Sequence, residues 1–299
     1  MDYRRSEPNV LLLDLAEYAF DDGAWQEKED VFRIDNQFRN LLNYPRRDGN
    51  LAQPYTMKKE PETHVLHLRY TFESEIAVKD ALLALEDAEK VTVRLNGQLV
   101  APEILGYFTD ESIKTVALPE IQPGENVLTL DIPFGKRTNV EWIYILGEFG
   151  VRLCGCDATL SHPQKKLGFG NVTPQGMPFY GANITYSIPV ELAEDGGIQV
   201  HASYYRGSLI GVSLDGKRVG SIVLPPYSCV IENVAAGKHT LELTVFGNRH
   251  NSFGALHQVD SSRRWFGPNA WRKDGDDWCY EYRVKPFGIL KSPVITILK

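Results

Sequence analysis

Residues 252–275 concentrate side chains that could bind a ligand. The stretch reads SFGALHQVDSSRRWFGPNAWRKDG. Tryptophan faces stack on the apolar faces of sugar rings, and arginine, asparagine and histidine hydrogen-bond hydroxyl groups, so this mixture suits a concave binding site. If the stretch binds a glycan, we expect Trp265 or Trp271 to supply the stacking face. The expected polar contacts are Arg249, His257, Arg263 and Asn269.

The two tryptophans also have a second interpretation. Buried aromatic side chains dominate packing interfaces as well as ligand sites. In that interpretation Trp265 and Trp271 anchor the loop to its own domain or to a neighbouring one and touch no ligand. The sequence leaves both interpretations open.

Spacing that would indicate metal binding or catalysis is missing from the sequence. His250 and His257 are seven positions apart, and no cysteine or carboxylate is placed to complete a zinc site. The sequence has no Gly-x-Ser-x-Gly elbow, catalytic cysteine signature or glycine-rich phosphate loop. The acidic clusters 86–89, 194–197 and 274–277 coincide with turn signals, where solvated turns are the default. We therefore predict no catalytic residue and no cofactor, and leave open calcium bound by loop oxygens.

The composition narrows the class of protein. A net charge of -7 over 299 residues excludes a nucleic-acid binder that needs a basic face. No apolar run approaches the ~20 residues of a membrane span, and Asp14 and Glu17 interrupt the N-terminal apolar run, which makes a poor signal peptide. The cysteine spacing favours free thiols in a reducing compartment, hence the cytoplasm. These cysteines are Cys154, Cys156, Cys229 and Cys279.

The elements that must position the candidate residues are mostly strands. HLRYTFES alternates, with Leu66, Leu68, Tyr70 and Phe72 on one face. KVTVRLNGQLV turns at Asn96-Gly97, a strong hairpin signal. Similar short strands recur to the end of the chain with almost no helix between them, which indicates antiparallel β-sandwiches.

The first sixty residues follow a different pattern. NVLLLDLAEYAF reads as a strand, and the next stretch places Val31, Ile34 and Phe38 at helical spacing. Asp35 and Arg39 lie one helical turn apart on the same predicted helix. A polar, proline-containing linker follows, so this part is predicted to be a short mixed α/β segment.

An internal repeat divides the remainder of the chain into two copies. VRLNGQLV corresponds to VSLDGKRV, PGENVLTLDIPFGKRTN to AGKHTLELTVFGNRHN, and EWIYILGEFGV to DWCYEYRVKPFGI, in the same order. The shared Phe-Gly-x-Arg-x-Asn is interpreted as a structural strand end, in which glycine permits a bend and asparagine bonds the local backbone. Its polar members are Arg137, Asn139, Arg249 and Asn251. The second copy carries 24 extra residues, an insertion long enough to be functional or to pack on a partner.

These motifs, together with NSFGALH, WFGPNAW and KPFGIL, resemble the C-terminal non-catalytic part of large bacterial glycoside hydrolases. The tandem sandwiches look like the galactose-binding-like, jelly-roll domains of family-two and α-L-rhamnosidase-like enzymes. The resemblance covers residues from about 60 to the end. It implies that the catalytic acid and nucleophile lie in a catalytic barrel for which this chain has no matching segment.

The sequence as a whole predicts a mainly β protein. We expect a segment 1–60, a first sandwich 61–156, and a second sandwich 157–299 with its inserted loop at about 252–275. The expected function is carbohydrate binding and scaffolding, with carbohydrate and a catalytic domain of the same or a neighbouring polypeptide as partners, and neither nucleic acid nor membrane. The alternatives are a structural fragment that binds no sugar and a self-sufficient glycosidase.

Overall fold

The computed structural model of the chain describes residues 1–46, 58–260 and 275–299. Of the described residues 47% lie in strands and 8% in helices, so the predicted mainly β fold class is confirmed. The α-helices are α1 Val31–Leu41 and α2 His250–Phe253. The strands are β1 Asp2–Arg5, β2 Asn9–Leu13, β3 Leu15–Phe20, β4 Gln26–Asp30, β5 His64–Ser74, β6 Leu82–Glu86, β7 Thr92–Leu95, β8 Gln98–Leu99, β9 Gly106–Phe108, β10 Asp110–Ala117, β11 Gly124–Phe134, β12 Ile143–Gly147, β13 Gly150–Cys154, β14 Asp157–Ser161, β15 Ile184–Leu192, β16 Gly196–His201, β17 Ile210–Leu214, β18 Lys217–Ile222, β19 Ser228–Val234, β20 Gly237–Val245 and β21 Val294–Leu298.

The chain forms two compact units that differ in their boundaries from the predicted domains. The N-terminal unit contains residues 9–162 and 255–283, and the C-terminal unit contains residues 1–8, 163–254 and 284–299. The predicted segment 1–60 is therefore divided between the units, and part of the insertion joins the N-terminal unit. Residues 47–57 of the predicted linker lie outside the described residues.

The N-terminal unit is built from two sheets. One has the strand order β2-β12-β6-β10-β9, and the other has the order β13-β14-β5-β11-β7-β8 with β3 on β5 and β4 on β3. Strand β5 buries Leu66, Leu68, Tyr70 and Phe72, as its alternation predicts. Burial of this apolar stripe removes it from water and is the main stabilising term for such a sheet.

Helix α1 fastens the end of β11 in the same unit. Asp30 caps the helix by accepting hydrogen bonds from the first-turn amides of Phe32 and Arg33. The predicted pair is present and buried: Arg39 Nε lies 2.9 Å from Asp35 Oδ2. The Arg39 guanidinium also donates to the carbonyls of Pro45, Lys136 and Thr138. A buried charge is thereby fully paired and holds the loop that follows β11.

The C-terminal unit repeats this plan with fewer strands. Its sheets have the orders β1-β15-β20-β17-β18 and β19-β16-β21. Its core joins buried residues of both sheets, such as Ile184, Leu243 and Val212 from the first and Ile198 and Ile231 from the second. The predicted second β-sandwich therefore has its own core.

Strand pairing supports two of the three repeat matches and corrects the third. β5-β11-β7-β8 corresponds to β15-β20-β17-β18, and both hairpins turn through two residues of positive φ, Asn96-Gly97 and Asp215-Gly216. The third match is wrong. β12 pairs with β6, and its equivalent on β16 is β21, not the segment 277–289 that resembles it in sequence. Most of that segment belongs instead to the N-terminal unit.

Candidate functional site

Members of the repeated Phe-Gly-x-Arg-x-Asn motif make internal contacts in both units, and these contacts differ from the predicted ones. Gly247 lies so close to Gly181 that a Cβ would be 1.8 Å from the Gly181 carbonyl oxygen. Arg249 forms a two-point ion pair with Glu7. Asn251 exchanges two hydrogen bonds with the backbone of Lys285, so it joins distant segments and not its own turn.

The equivalent asparagine of the first copy makes a different contact. Asn139 donates its amide to the carboxylate of Glu86. The expectation of a shared local backbone bond is therefore wrong for both asparagines. In both copies the glycine follows the end of a strand, whereas each asparagine has a different hydrogen-bond partner.

The two histidines beside this motif have opposite environments and belong to different units. Burial and the nearby charge of Lys285 lower the pKa of His250 to about 4, so this ring is neutral at pH 7. His257 is buried in the N-terminal unit and pairs with a carboxylate. Within the described residues, no group of three His, Cys, Asp or Glu side chains is arranged to hold a metal ion.

The base of the inserted loop is a stem in which the segment 256–259 forms backbone hydrogen bonds with the segment 277–283. Cys279 donates its amide to the carbonyl of His257 at 2.8 Å, and Arg283 donates to the carbonyl of Leu256 at 2.6 Å. Aromatic contacts attach the stem to the rest of the N-terminal unit: the guanidinium of Arg33 lies 4.5 Å from the ring centroid of Trp278. The stem is thus a packed element of this unit.

A buried polar network joins the stem to the corner between β2 and β3. Asp14 occupies this corner, where the chain passes from one sheet to the other, and is completely buried. Its Oδ2 lies 2.9 Å from His257 Nε2, and its Oδ1 accepts the hydroxyl of Tyr282 at 2.5 Å. The other ring nitrogen, His257 Nδ1, donates to the carbonyl of Cys279 at 3.0 Å.

The partners of His257 determine its protonation. A carbonyl oxygen can only accept, so Nδ1 carries a proton, and a carboxylate facing Nε2 favours a second one. Burial lowers the pKa of His257, but the hydrogen bond and charge of Asp14 outweigh burial and raise it overall. Both nitrogens are engaged, so His257 has no free lone pair with which to act as a general base. The network orients a carboxylate and secures the stem.

Asp30 is a second buried acid close to this network. Burial, reinforced by the negative charge of Asp14, raises the pKa of Asp30 to about 7. Two backbone amides of α1 donate to the same carboxylate and favour its charged form, but they only partly offset burial. Asp30 therefore titrates close to neutral pH.

A cleft of about 380 Å³ opens beside the Asp14 corner. Its walls come from the β2–β3 corner, β4, the end of β5, the start of β14 and the stem. The lining combines apolar side chains with carboxylate, ammonium, hydroxyl and thiol groups. The lining residues are Leu12, Leu13, Asp14, Leu15, Lys28, Thr71, Phe72, Glu73, Cys156, Asp157, Ala158, Thr159 and Tyr282.

The cleft exists because two strands share one edge of β5 and leave a gap between them. β3 pairs with residues 66–69 of β5, and β14 pairs in parallel with residues 73–74. Among the described residues, no strand pairs with residues 70–72 on this edge. Backbone groups at the gap and the outward side chains Thr71 and Glu73 border the opening.

Of the six ligand contacts predicted from the sequence, the structure describes Arg249 and His257. Arg249 and His257 are engaged in the ion pairs described above, and as ligand contacts they stay predictions. Trp265, Trp271, Arg263 and Asn269 lie outside the described residues. The cleft residues were missed because strand patterns do not show which loops meet. Asp14 alone gave a signal, as a charge within an apolar strand that must be paired if buried.

Two further features of the described residues concern the cysteines and the length of the helices. All four cysteines are free thiols, and burial raises the pKa of Cys229. No helix in the described part of the chain is long and apolar enough to cross a membrane.

Comparison with known proteins places the chain beside parts of glycoside hydrolases. No protein-family model matches it, and no curated protein matches it. A β-D-mannosidase structure from Dictyoglomus thermophilum is 15% identical, covering 80% of this chain and 31% of the mannosidase, with a TM-score of 0.29. A rhamnosidase from Novosphingobium sp. PP1Y is 15% identical over 80% of this chain and 23% of its own, with a TM-score of 0.30.

A third solved structure matches a similar share of the chain. The GH2 β-galacturonidase from Eisenbergiella tayi is 12% identical, covering 81% of this chain and 37% of the enzyme, with a TM-score of 0.25. The chain thus spans less than two fifths of each of these solved chains. Glycoside hydrolases are also the class that the sequence resemblance predicts.

Proposed function

We propose that this chain is the non-catalytic, carbohydrate-binding and scaffolding part of a bacterial glycoside hydrolase, with a sugar bound in the cleft of the N-terminal unit. The cleft is the observation that supports this proposal best. Its volume of about 380 Å³ falls within the roughly 300–1,000 Å³ of small-molecule sites. Its mixture of apolar and hydrogen-bonding side chains suits a ring with an apolar face and a rim of hydroxyls.

The cleft is suited to holding a hydroxylated ligand in a fixed orientation. Asp14 is completely buried and bonded by His257 and Tyr282, so it fixes the wall of the cleft before a ligand arrives. Thr71 and Thr159 offer hydroxyls from two different strands. Such pre-positioned polar groups give orientation and specificity in ligand sites.

The same contacts favour binding over hydrolysis. A glycosidase needs one carboxyl group as a proton donor and another as nucleophile or base. Asp14 is already paired with His257 and Tyr282, and Asp157 lies 3.8 Å from Lys28. We therefore assign no catalytic role to these carboxylates. The catalytic residues are proposed to lie in a partner domain of the same or a neighbouring polypeptide.

The inserted loop is proposed to contribute to the same function. Trp265 or Trp271 supplies a stacking face for the glycan, with Arg263 and Asn269 as polar contacts. The competing proposal is a structural fragment that binds no sugar, and the packing of Arg33 on Trp278 in the stem favours it. Binding measurements distinguish these two.

The test is calorimetric titration of the chain with a panel of neutral oligosaccharides. Thr159→Trp fills the cleft, and Thr240→Trp makes the same change at an exposed position on β20. We expect the first variant to lose binding and the second to retain it. If both bind as wild type does, the cleft is not the sugar site.

Two further variants and one assay separate the loop from the cleft. Trp265→Ala or Trp271→Ala should weaken binding roughly ten- to a hundredfold if the ring stacks on sugar, by analogy with bases stacked on aromatics. Lower thermal stability of both, with no glycan bound by the wild type, would favour the structural fragment. Turnover of an aryl glycoside that Asp14→Asn or Glu73→Gln abolishes would make the chain a glycosidase.

A further inference from the structure

Among the carboxylates of the cleft, Glu73 is the one for which the described residues supply no cationic partner. Lys28 lies 3.8 Å from Asp157, and Asp14 accepts hydrogen bonds from His257 and Tyr282. In the part of the chain that the structure describes, Glu73 has no salt bridge. Its negative charge is therefore left for a ligand or for solvent.

The neighbour of Glu73 across the sheet is a second carboxylate. Glu125 on β11 is directly opposite Glu73 on β5, and both side chains are exposed. Like charges directly opposite each other destabilise an antiparallel pair. The sheet thus carries an unfavourable charge pair at the rim of the cleft, and a cationic group bound there would relieve it.

Glu73 is also placed where a ligand can reach it. It pairs with Thr159 at the first position where β14 joins β5, so it marks the end of the gap at residues 70–72. Of the three carboxylates that line the cleft, Asp14 faces His257 and Asp157 lies 3.8 Å from Lys28, so Glu73 leaves one negative charge in excess. A ligand carboxylate would meet repulsion there, whereas a ligand ammonium would be attracted.

We infer that the cleft prefers a sugar carrying a protonated amine to a neutral sugar, and a neutral sugar to a uronic acid, and that Glu73 sets this preference. The inference rests on the proposed function, since it requires that the cleft binds a sugar. Glu73 is thus the residue that determines specificity. Glu125 does not line the cleft, but its charge adds to the negative electrostatic potential there.

The experiment titrates the full chain at pH 6 with three trisaccharides: a glucosamine trimer, cellotriose and trigalacturonate. Glu73→Gln removes the charge within the cleft. Glu125→Gln removes the opposite charge of the same sheet pair and serves as the matched control, because both variants relieve the same repulsion. Added salt should weaken the amine preference, since surface charges are screened.

We expect wild type to bind the glucosamine trimer about fivefold or more tightly than cellotriose, the gain from one ion pair at about 4 Å in water. Glu73→Gln should abolish this ratio, and Glu125→Gln should retain most of it. Equal affinity for all three trisaccharides, tighter binding of trigalacturonate, or an unchanged ratio in Glu73→Gln overturns the inference alone. If none of the three sugars binds, both the inference and the proposed function are wrong.

Discussion

His257 Nε2 lies 2.9 Å from Asp14 Oδ2, a contact between residues 243 positions apart in the chain. Both side chains are almost completely buried. The bond attaches the stem of the inserted loop to the corner between β2 and β3, next to the cleft. Removing His257 would leave the buried Asp14 carboxylate with the Tyr282 hydroxyl but without its cationic partner, which is strongly destabilising.

The His257–Asp14 pair predicts how stability depends on pH. Because the folded-state pKa of His257 is raised, its contribution is fully present below about 6.5 and is lost as pH rises through the folded-state value. Asp30 titrates in the same range, so the two proteins to compare are the Asp30→Asn variant and the double variant Asp30→Asn/His257→Gln. In chemical denaturation from pH 6 to 9, the free energy of unfolding should fall more in Asp30→Asn, which keeps His257, than in the double variant. Parallel profiles would contradict the assignment.

Asp30 gives a second pH-dependent prediction. Its pKa of about 7 exceeds the unfolded value, so its stabilising effect is complete below about 4 and disappears as pH rises through 7. Asp30→Asn keeps a good helix cap and removes this titration. From pH 4 to pH 8, the free energy of unfolding of Asp30→Asn should rise relative to that of wild type by about 3–4 kcal/mol, since one pKa unit corresponds to about 1.4 kcal/mol. A constant difference in urea denaturation would refute the raised pKa.

The repeated motif offers a matched pair of glycine substitutions. A Cβ on Gly247 would lie 1.8 Å from the Gly181 carbonyl oxygen, whereas a Cβ on Gly135 meets its nearest atom at 3.4 Å. Gly247→Ala should destabilise the C-terminal unit by about 3 kcal/mol or more, because backbone must move. Gly135→Ala should change the free energy of unfolding by less than about 1 kcal/mol. Similar melting curves for the two variants would show that the close approach is not required.

Arg39 tests the buried ion pair of α1. Arg39→Met leaves Asp35 buried without its cation, and we expect a loss of about 3–5 kcal/mol in the free energy of unfolding. Lys90→Met removes the exposed partner of Asp87 and should change stability by less than about 1 kcal/mol. Denaturant titration of both variants provides the check. A small effect at Arg39 would mean that Asp35 is hydrated or protonated in the variant.

Local sequence signals predicted several elements, although the single strand expected over NVLLLDLAEYAF is two, β2 and β3, on different sheets. The alternation in β5, the two-residue hairpin turns and the Asp35–Arg39 pair each depend on residues a few positions apart, so periodicity and turn chemistry are sufficient. The mainly β fold followed from these signals. The repeat also followed where a strand and its turn were both conserved between copies.

Local sequence signals could not predict which strands and side chains pair when they are far apart in the chain. The third repeat match was wrong because the segment 277–289 shares aromatic and acidic residues with 141–151, yet residues 277–283 belong to the N-terminal unit. The cleft depends on β3 and β14 leaving a gap along β5, and no pattern within β5 indicates which strands will border it. Asp14 needed partners on a segment more than two hundred residues away.

The placement of β1 has a consequence for synthesis on the ribosome. Arg5 pairs with Ile184, roughly 180 positions later, so at about 5–20 residues per second β1 waits on the order of ten to forty seconds for its partner strand. During that interval the N-terminal strand is an unpaired edge that can join another sheet. During this interval a chaperone that covers β1 would favour its later pairing with β15 over aggregation. Slower translation near residue 190, just after β15 is made, would give the two strands more time to pair.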